Sequence, residues 1–192
     1  MSYSFFALIS RLRNIDRWAL MRNMSKENVQ EHSHMVAVLA HALAVIGRDV
    51  YQKDCSPDRA ASIALFHDAS EILTGDMPTP VKYHDPEIMA AYKRVEAKAA
   101  WKLATALPET LRPEYECLLS GKEKEEAFVH AADKLSAYLK CLEELRAGNE
   151  EFRRAAESTE KKLRAMNMPE VEYFMENFVP AFDKTLDELS LD

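Results

Sequence analysis

The sequence has 192 residues, of which 47% are hydrophobic and 30% are charged, as in a globular chain of one domain and unlike a disordered or fibrous protein. The formal net charge of −7 argues against binding to a nucleic-acid polymer, which requires a basic face. The chain has no run of about 18 apolar residues and no C-x-x-C pair among Cys55, Cys117 and Cys141. We therefore expect neither a membrane span nor a cysteine-rich zinc site.

The N-terminal segment MSYSFFALISRLRNID has a short apolar stretch but neither a basic n-region nor a small-residue cleavage site. We interpret it as part of the fold and expect a cytoplasmic protein. Helical periodicity dominates the chain, without a convincing alternating strand. The predicted helices lie near 4–20, 28–47, 57–74, 86–106, 109–119, 123–147, 150–166 and 169–189. With Gly47, Gly75 and Gly148 as C-terminal caps, the sequence predicts one all-α domain over residues 1–192.

The helix near 28–47 places one histidine on its apolar face. At about 100° per residue, His32 lies within the stripe that contains Val36 and Leu43, whereas His34 and His41 fall on the opposite, solvated side. A single inward-facing histidine is more often a hydrogen-bonded core residue than a metal ligand. The helix by itself therefore leaves both interpretations open.

The next helix carries three titratable residues, His67, Asp68 and Glu71, on a strip lined by alanine and lacking Lys and Arg. Buried carboxylates without a cation are costly, and an exposed polar edge, the alternative, would usually carry lysine. A divalent metal would balance the charge, since imidazole and carboxylate suit Mn, Fe, Co, Ni or Zn. His67, Asp68 and the facing His32 can then supply three ligands, and a fourth is required from elsewhere.

Other candidate residues cannot be assigned from spacing. Asp133 lies off the apolar stripe of the helix near 123–147, so periodicity alone favours an ordinary surface aspartate. Arg17 suits phosphate because its guanidinium is a planar fork, but Arg11, Arg13 and Arg22 are equally placed in the sequence. Trp18 is more often a core residue than a ligand platform.

The longer motifs carry a specific resemblance. RWALMRN, ENVQEHS, HDASEILTGDMPTPVKY and AADKLSAYLKCLEEL resemble the bacterial 5′-deoxynucleotidases of the HD-domain metal-dependent phosphohydrolase superfamily. The resemblance runs from FFALISRL to YFMENFVPAF and shows no departure at a motif position. It implies an all-α HD-domain helical bundle, with a metal-binding core at about 28–147 and C-terminal helices at about 150–189.

The resemblance implies roles for particular residues. One divalent transition metal, such as Co or Mn, would be held by His32, His67, Asp68 and Asp133. Glu71 would be the catalytic acid or base, and Arg17 would orient the phosphate. The deoxynucleoside would be held by Trp18 and the loop residues Asp76, Met77, Pro78 and Thr79, and His32, Asp68 and Asp133 would also contact the substrate. Asp76 would contact the sugar hydroxyl, and crowding there would disfavour a ribose 2′-OH.

The implied reaction is metal-dependent hydrolysis of deoxyribonucleoside 5′-monophosphates to deoxynucleoside and phosphate, catalysed by a homodimer. An HD hydrolase for another phosphate ester, such as a dNTP or a cyclic or signalling nucleotide, is one alternative. A non-catalytic nucleotide-binding helical module is another. Glu71 argues against the second, because binding alone requires no proton transfer.

Overall fold

A computed structural model describes residues 2–82 and 85–189, without the side chains of residues 79 and 80. The described residues form helices, and the predicted all-α fold is confirmed. The α-helices are α1 (Phe5–Ile9), α2 (Val29–Asp49), α3 (Pro57–Phe66), α4 (Glu71–Thr74), α5 (Thr79–Lys82), α6 (Pro86–Ala104), α7 (Arg112–Leu119), α8 (Glu126–Arg146), α9 (Arg153–Ala165) and α10 (Pro169–Asn177). Short 3₁₀ helices cover Ser10–Asn14, Glu150–Phe152, Val179–Asp183 and Asp187–Leu189. None of the described helices is both long enough and apolar enough to cross a bilayer.

The long helix α2 forms the centre of the bundle. It begins at a capping box in which the side chain of Asn28 accepts from the amide of Glu31, whose carboxylate accepts from the amide of Asn28. Its apolar face is buried against α3 and α8 and includes Val36 and Leu43. This packing brings one face of α2 toward the carboxyl end of α3, where the titratable residues lie.

The predicted helix 57–74 is interrupted, which is a correction to the continuous helix. Ser56 caps α3 and Pro57 is its first residue, but α3 ends at Phe66. Residues 67–70 then form a tight turn with i→i−3 hydrogen bonds, such as Ala69 N to Phe66 O at 3.0 Å. Because α4 restarts after this turn, Glu71 does not follow His67 on one continuous helical face.

The predicted helix 4–20 also ends early, at Asn14. The chain then forms an extended pair with the residues before α2, linked by an isolated antiparallel bridge between Asp16 and Asn28. The amide of Arg17 donates to the carbonyl of Glu27 at 2.9 Å. Trp18 has a φ of +58°, a left-handed conformation that a continuing helix does not contain. Backbone pairing across residues 16–28 therefore replaces the end of the predicted helix.

The helices that follow α8 close the bundle on the other side. Among the described residues, the predicted helix 169–189 ends at Asn177 and is followed by 3₁₀ turns.

The predicted C-terminal cap at Gly47 is wrong, because α2 continues to Asp49. A Cβ at Gly47 would lie 3.0 Å from Glu170 Oε1 and 3.1 Å from the Phe128 ring. This glycine permits close packing of α10 and α8, whereas Gly75 and Gly148 have the positive φ expected of helix caps.

Candidate metal centre and active site

His32 projects from α2 into the bundle and is fully buried, on the face that the helical spacing predicted. Its Nε2 atom lies 3.1 Å from Asp133 Oδ1 and 3.6 Å from Asp68 Oδ2. Its Nδ1 atom lies 3.3 Å from the hydroxyl oxygen of Ser136 on α8. The Ser136 hydroxyl therefore fixes the ring through Nδ1, and Nε2 faces the carboxylates of Asp68 and Asp133. Metal-binding histidines are commonly oriented in this way, by a hydrogen bond at the nitrogen that does not bind the metal.

His67 and Asp68 lie in the turn between α3 and α4. His67 Nδ1 is 2.7 Å from the carbonyl of Ala64 and donates to it, since a carbonyl oxygen can only accept. In the neutral ring, Nε2 then carries the lone pair. That atom is buried, has no hydrogen-bond partner among the described residues, and lies 3.1 Å from Asp68 Oδ2. A lone pair facing a carboxylate is repulsive, so the geometry requires a proton or a metal ion between them.

The arrangement fits a divalent metal. Ligand atoms of His32, His67 and Asp68 all lie within 4.8 Å of one another, so one ion can reach all three. Imidazole and carboxylate are the donor set of borderline transition metals rather than of Ca or Mg. The unbonded Nε2 of His67 points into this cluster, which is the orientation that a metal ligand requires.

Asp133 approaches from α8, and its side chain is 34% exposed. Spacing alone left it as an ordinary surface residue, but the structure brings it to His32 because α8 packs across α2. Burial opposes ionisation of Asp133, but the contact with His32 and the charges of His32, His67 and Arg17 outweigh it and lower the pKa of Asp133. The fourth predicted ligand is thus beside the three-residue cluster, on its more open side.

The charges of these groups balance one another. Burial opposes protonation of His67, but the neighbouring Asp68 outweighs it and raises the pKa of His67 to about 9. Burial likewise opposes ionisation of Asp68, yet His67 overcomes it and lowers the pKa of Asp68 to about 2. The two carboxylates, Asp68 and Asp133, thus require positive charge in their vicinity, which protonated imidazoles or a metal ion can supply.

Arg17 is the arginine that the fold brings to this centre. Its side chain is 13% exposed, its Nε donates to Glu27 Oε2 at 3.2 Å, and its Nη1 donates to Asp68 Oδ2 at 3.4 Å. Arg22, one of the rivals in the sequence, instead pairs with Glu151 and is 95% exposed. A guanidinium that already contacts a candidate metal ligand lies where a metal-bound phosphate could meet it.

Trp18 and Glu27 complete this side of the site. The indole Nε1 of Trp18 donates to Glu27 Oε2 at 2.9 Å, and its ring packs on Phe152 at 5.3 Å between centroids. Sequence reasoning missed Glu27, although it opens the ENVQEHS motif. The signal available was weak, because a glutamate just before a helix cap is usually solvated.

Glu71 begins α4 and is 7% exposed. Its Oε2 atom is buried without a hydrogen-bond partner among the described residues. Burial, together with the charges of Asp68 and Asp76, raises the pKa of Glu71 to about 9. The carboxyl group is thus stable in its protonated form, in which it can donate a proton.

The loop after α4 is fixed by α6. The hydroxyl of Tyr92 lies 3.3 Å from both the carbonyl of Gly75 and the hydroxyl of Thr74. Asp76, Met77 and Pro78 are partly buried, and burial raises the pKa of Asp76 while Arg17 opposes the shift. The loop ends in the short helix α5, where sequence analysis expected none. The backbone of Thr79 begins α5, and its side chain lies outside the description.

Sequence comparison finds close relatives over almost the whole chain. A family described as "5′-deoxynucleotidase YfbR-like" matches residues 4–182. Curated 5′-deoxynucleotidases of Yersinia pestis and Yersinia pseudotuberculosis are each 51% identical over 191 residues. The match covers 98% of this chain and 97% of each relative.

Solved structures share the fold. An HD-domain phosphohydrolase from Listeria innocua has a TM-score of 0.81 at 25% identity, covering 93% of this chain and 88% of the other. A cyanophage S-2L HD phosphohydrolase, solved with dA and one catalytic Zn²⁺ ion, has a TM-score of 0.64 at 20% identity. The match covers 94% of this chain and 99% of the cyanophage chain. At 20% identity, the similarity to the cyanophage protein shows a shared fold only.

Proposed function

The chain belongs to the YfbR-like 5′-deoxynucleotidase family, and we propose that it hydrolyses deoxyribonucleoside 5′-monophosphates to deoxynucleosides and phosphate with one divalent metal. Family membership bears out the resemblance of the sequence motifs. The observation that carries the proposal is the buried, unbonded Nε2 of His67 beside the Asp68 carboxylate that Arg17 also contacts. His67, a proposed metal ligand, and Arg17, the proposed phosphate-binding residue, thus both contact the Asp68 carboxylate.

His32, His67, Asp68 and Asp133 would hold the metal. When bound, a transition metal would polarise phosphate oxygens and lower the pKa of coordinated water toward neutrality. The donor set of two imidazoles and two carboxylates is compatible with Co, Mn or Zn. A phosphate bound to that metal would lie beside these side chains, and the family resemblance implies that His32, Asp68 and Asp133 would also contact the substrate.

Arg17 would orient the phosphate. Its Nε is engaged by Glu27 and its Nη1 lies 3.4 Å from Asp68, which leaves the other guanidinium donors for phosphate oxygens. The fork geometry holds an in-line arrangement better than a lysine ammonium does. Positioning and charge neutralisation account for most of phosphoryl-transfer catalysis.

Glu71 would transfer the proton. Its raised pKa, about 9, favours the protonated carboxyl group, which suits donation to the leaving 5′-oxygen. The resulting deoxynucleoside leaves as a neutral alcohol rather than as an alkoxide. Such a positioned acid contributes about 10² to 10⁴ in rate.

The loop at Asp76, Met77, Pro78 and Thr79 would hold the nucleoside, with Trp18 on the opposite side of the sugar. The partly buried Asp76 carboxylate would accept from the sugar 3′-hydroxyl. A loop braced by Tyr92 loses little freedom on binding, which favours binding of the nucleoside, and crowding beside Asp76 would disfavour a ribose 2′-OH.

Phosphate release from dAMP and AMP by purified protein tests the proposal. The protein would be stripped of metal and assayed alone and with Co, Mn or Zn. We expect turnover of dAMP only when a metal is present, and a much lower rate with AMP. Absence of phosphate release with every metal contradicts the activity, and equal rates contradict the sugar selectivity. dATP and a cyclic nucleotide in the same panel test the alternative phosphate esters.

The homodimer and the cytoplasmic location are proposed from the family resemblance. Light scattering on the eluting protein tests the first, with twice the 21.9 kDa chain mass expected. Cell fractionation tests the second, with recovery expected in the cytoplasmic fraction.

A further inference from the structure

Glu27 contacts two residues of the proposed phosphate and sugar site at once. Its Oε2 atom accepts from Arg17 Nε at 3.2 Å and from Trp18 Nε1 at 2.9 Å. We propose that Glu27 is a positioning residue that fixes Arg17 and Trp18 relative to the metal ligands. The proposal rests on the proposed function, in which these two residues bind the substrate.

The carboxylate is held where it can serve this purpose. Its side chain is 15% exposed, and the backbone carbonyl of Glu27 also accepts from the amide of Arg17 at 2.9 Å. The same residue thus binds Arg17 through both backbone and side chain. Charged hydrogen bonds of this type are stronger than neutral ones, so the guanidinium is held in one orientation.

Removing the Glu27 charge would leave Arg17 attracted mainly to Asp68. Among the described residues, the guanidinium pairs with the carboxylates of Glu27, at 3.2 Å, and of Asp68, at 3.4 Å. Without the first partner, Asp68 is the nearer attraction, and Arg17 would turn toward the metal ligand and away from the phosphate position. A misplacement of about 1 Å in a positioning group can cost on the order of 100-fold in rate.

Trp18 depends on the same carboxylate. Its backbone adopts φ of +58°, which a non-glycine residue adopts only where surrounding contacts stabilise it. The hydrogen bond to Glu27 and the packing on Phe152 supply those contacts. Loss of Glu27 would therefore free the indole to rotate out of the sugar site.

The kinetic test uses a double-mutant cycle with Glu27→Gln and Arg17→Ala in the metal-loaded protein. We expect Glu27→Gln to lower kcat/KM for dAMP by about 10- to 100-fold. The same change in the Arg17→Ala background should cost clearly less, because the part of the effect that acts through Arg17 is absent there and only the part that acts through Trp18 remains. Asp16→Asn is the matched control, since Asp16 is 58% exposed and its side chain pairs with Lys26, and it should retain kcat/KM within twofold.

Equal losses from Glu27→Gln in both backgrounds, with a lowered Tm, would indicate only a structural role and overturn the proposal. Activity within twofold of the parent after Glu27→Gln would overturn it as well. Glu27→Asp, which keeps the charge on a shorter side chain, should recover part of the lost kcat/KM, and an Asp variant as impaired as the Gln variant contradicts a role for the charge.

A fluorescence measurement is independent of turnover. With Trp101→Phe, Trp18 is the remaining tryptophan of the chain, and Trp101 itself is 67% exposed. Glu27→Gln in this background should shift the Trp18 emission maximum and weaken quenching by inorganic phosphate at least tenfold. An unchanged emission maximum together with an unchanged phosphate affinity in Glu27→Gln would overturn the positioning role. Absence of dAMP turnover alone would instead contradict only the proposed function.

Discussion

His32 Nε2 and Asp133 Oδ1 lie 3.1 Å apart although 101 positions separate the two residues in the chain. The contact joins α2 to α8 at the point where His67 and Asp68 arrive from the turn after α3. The ligand atoms of His32, His67 and Asp68 lie within 4.8 Å of one another, and Asp133 lies beside them through its contact with His32. Several measurable consequences depend on this convergence.

Asp133→Asn should weaken metal binding by roughly 100-fold or more. The carboxylate charge is lost, and losses beyond the ligands themselves already reach about 10- to 100-fold in metal sites. Metal content after gel filtration and titration calorimetry with Mn or Co measure the effect. Asp54→Asn, at a side chain that is fully exposed, should leave affinity unchanged. Full metal occupancy in Asp133→Asn would remove Asp133 from the ligand set.

Glu71→Gln should abolish most turnover without loss of metal. The amide is nearly isosteric with the protonated carboxyl group that the raised pKa favours, so the fold should be retained. Loss of the transferable proton should lower kcat by about 10² to 10⁴. Phosphate-release kinetics and elemental analysis measure the two properties in one sample.

A matched control for that change is Glu109→Gln, on the exposed surface between α6 and α7, which should retain parental kcat. If Glu71→Gln kept kcat within threefold of the parent, another group would have to transfer the proton. If it lost metal together with activity, Glu71 would belong to the metal environment rather than to proton transfer.

Asp76→Ala should reduce discrimination between dAMP and AMP by about tenfold. A single group in a substrate pocket typically controls about 10- to 200-fold of selectivity, and the shorter side chain leaves space for a 2′-hydroxyl. The ratio of kcat/KM for the two nucleotides is the measurement. Tyr92→Phe, which removes the hydroxyl contacts to Gly75 and Thr74, should raise KM for both and leave the ratio unchanged. An unaltered ratio in Asp76→Ala would locate selectivity elsewhere.

Glu144→Gln should destabilise the folded state by about 3 kcal/mol at pH 7. Glu144 is 1% exposed. Burial opposes its ionisation, but Lys140 and the amides of Met24 and Ser25 outweigh it and lower its pKa from 4.5 to about 2. Each tenfold change in an acid dissociation constant corresponds to about 1.4 kcal/mol. A lowered folded-state pKa stabilises the fold above pH 4.5, and this contribution decreases as pH falls toward 2.

Urea unfolding at several pH values measures this dependence. The difference between parent and Glu144→Gln should be largest near pH 7 and should narrow between pH 4.5 and pH 2. Glu143→Gln changes the exposed neighbour on the same helix and should alter stability by less than about 0.5 kcal/mol. A difference that did not depend on pH would mean that the Glu144 charge does not stabilise the fold.

Local sequence signals predicted the helical content and the inward face of α2. The apolar stripe of α2 assigns His32 to the core, because residues three and four apart share a face. Spacing did not reveal the break after Phe66, since His67, Asp68 and Glu71 are compatible with a continuing helix. The tight turn depends on contacts with the rest of the bundle, and α1 packs there through Phe5 against Ala69.

By itself, the sequence determined an all-α chain and an inward His32, and it predicted a cation beside His67, Asp68 and Glu71. It also carried the motifs of the family to which the chain belongs. Residue spacing left Arg17 among four arginines and Asp133 at the surface, and the family resemblance assigned both. Only the tertiary structure showed Arg17 beside Asp68, brought Asp133 to His32 and revealed Glu27. Local periodicity records which side of a helix is apolar, whereas contacts between distant side chains depend on how helices cross and how the chain turns between them.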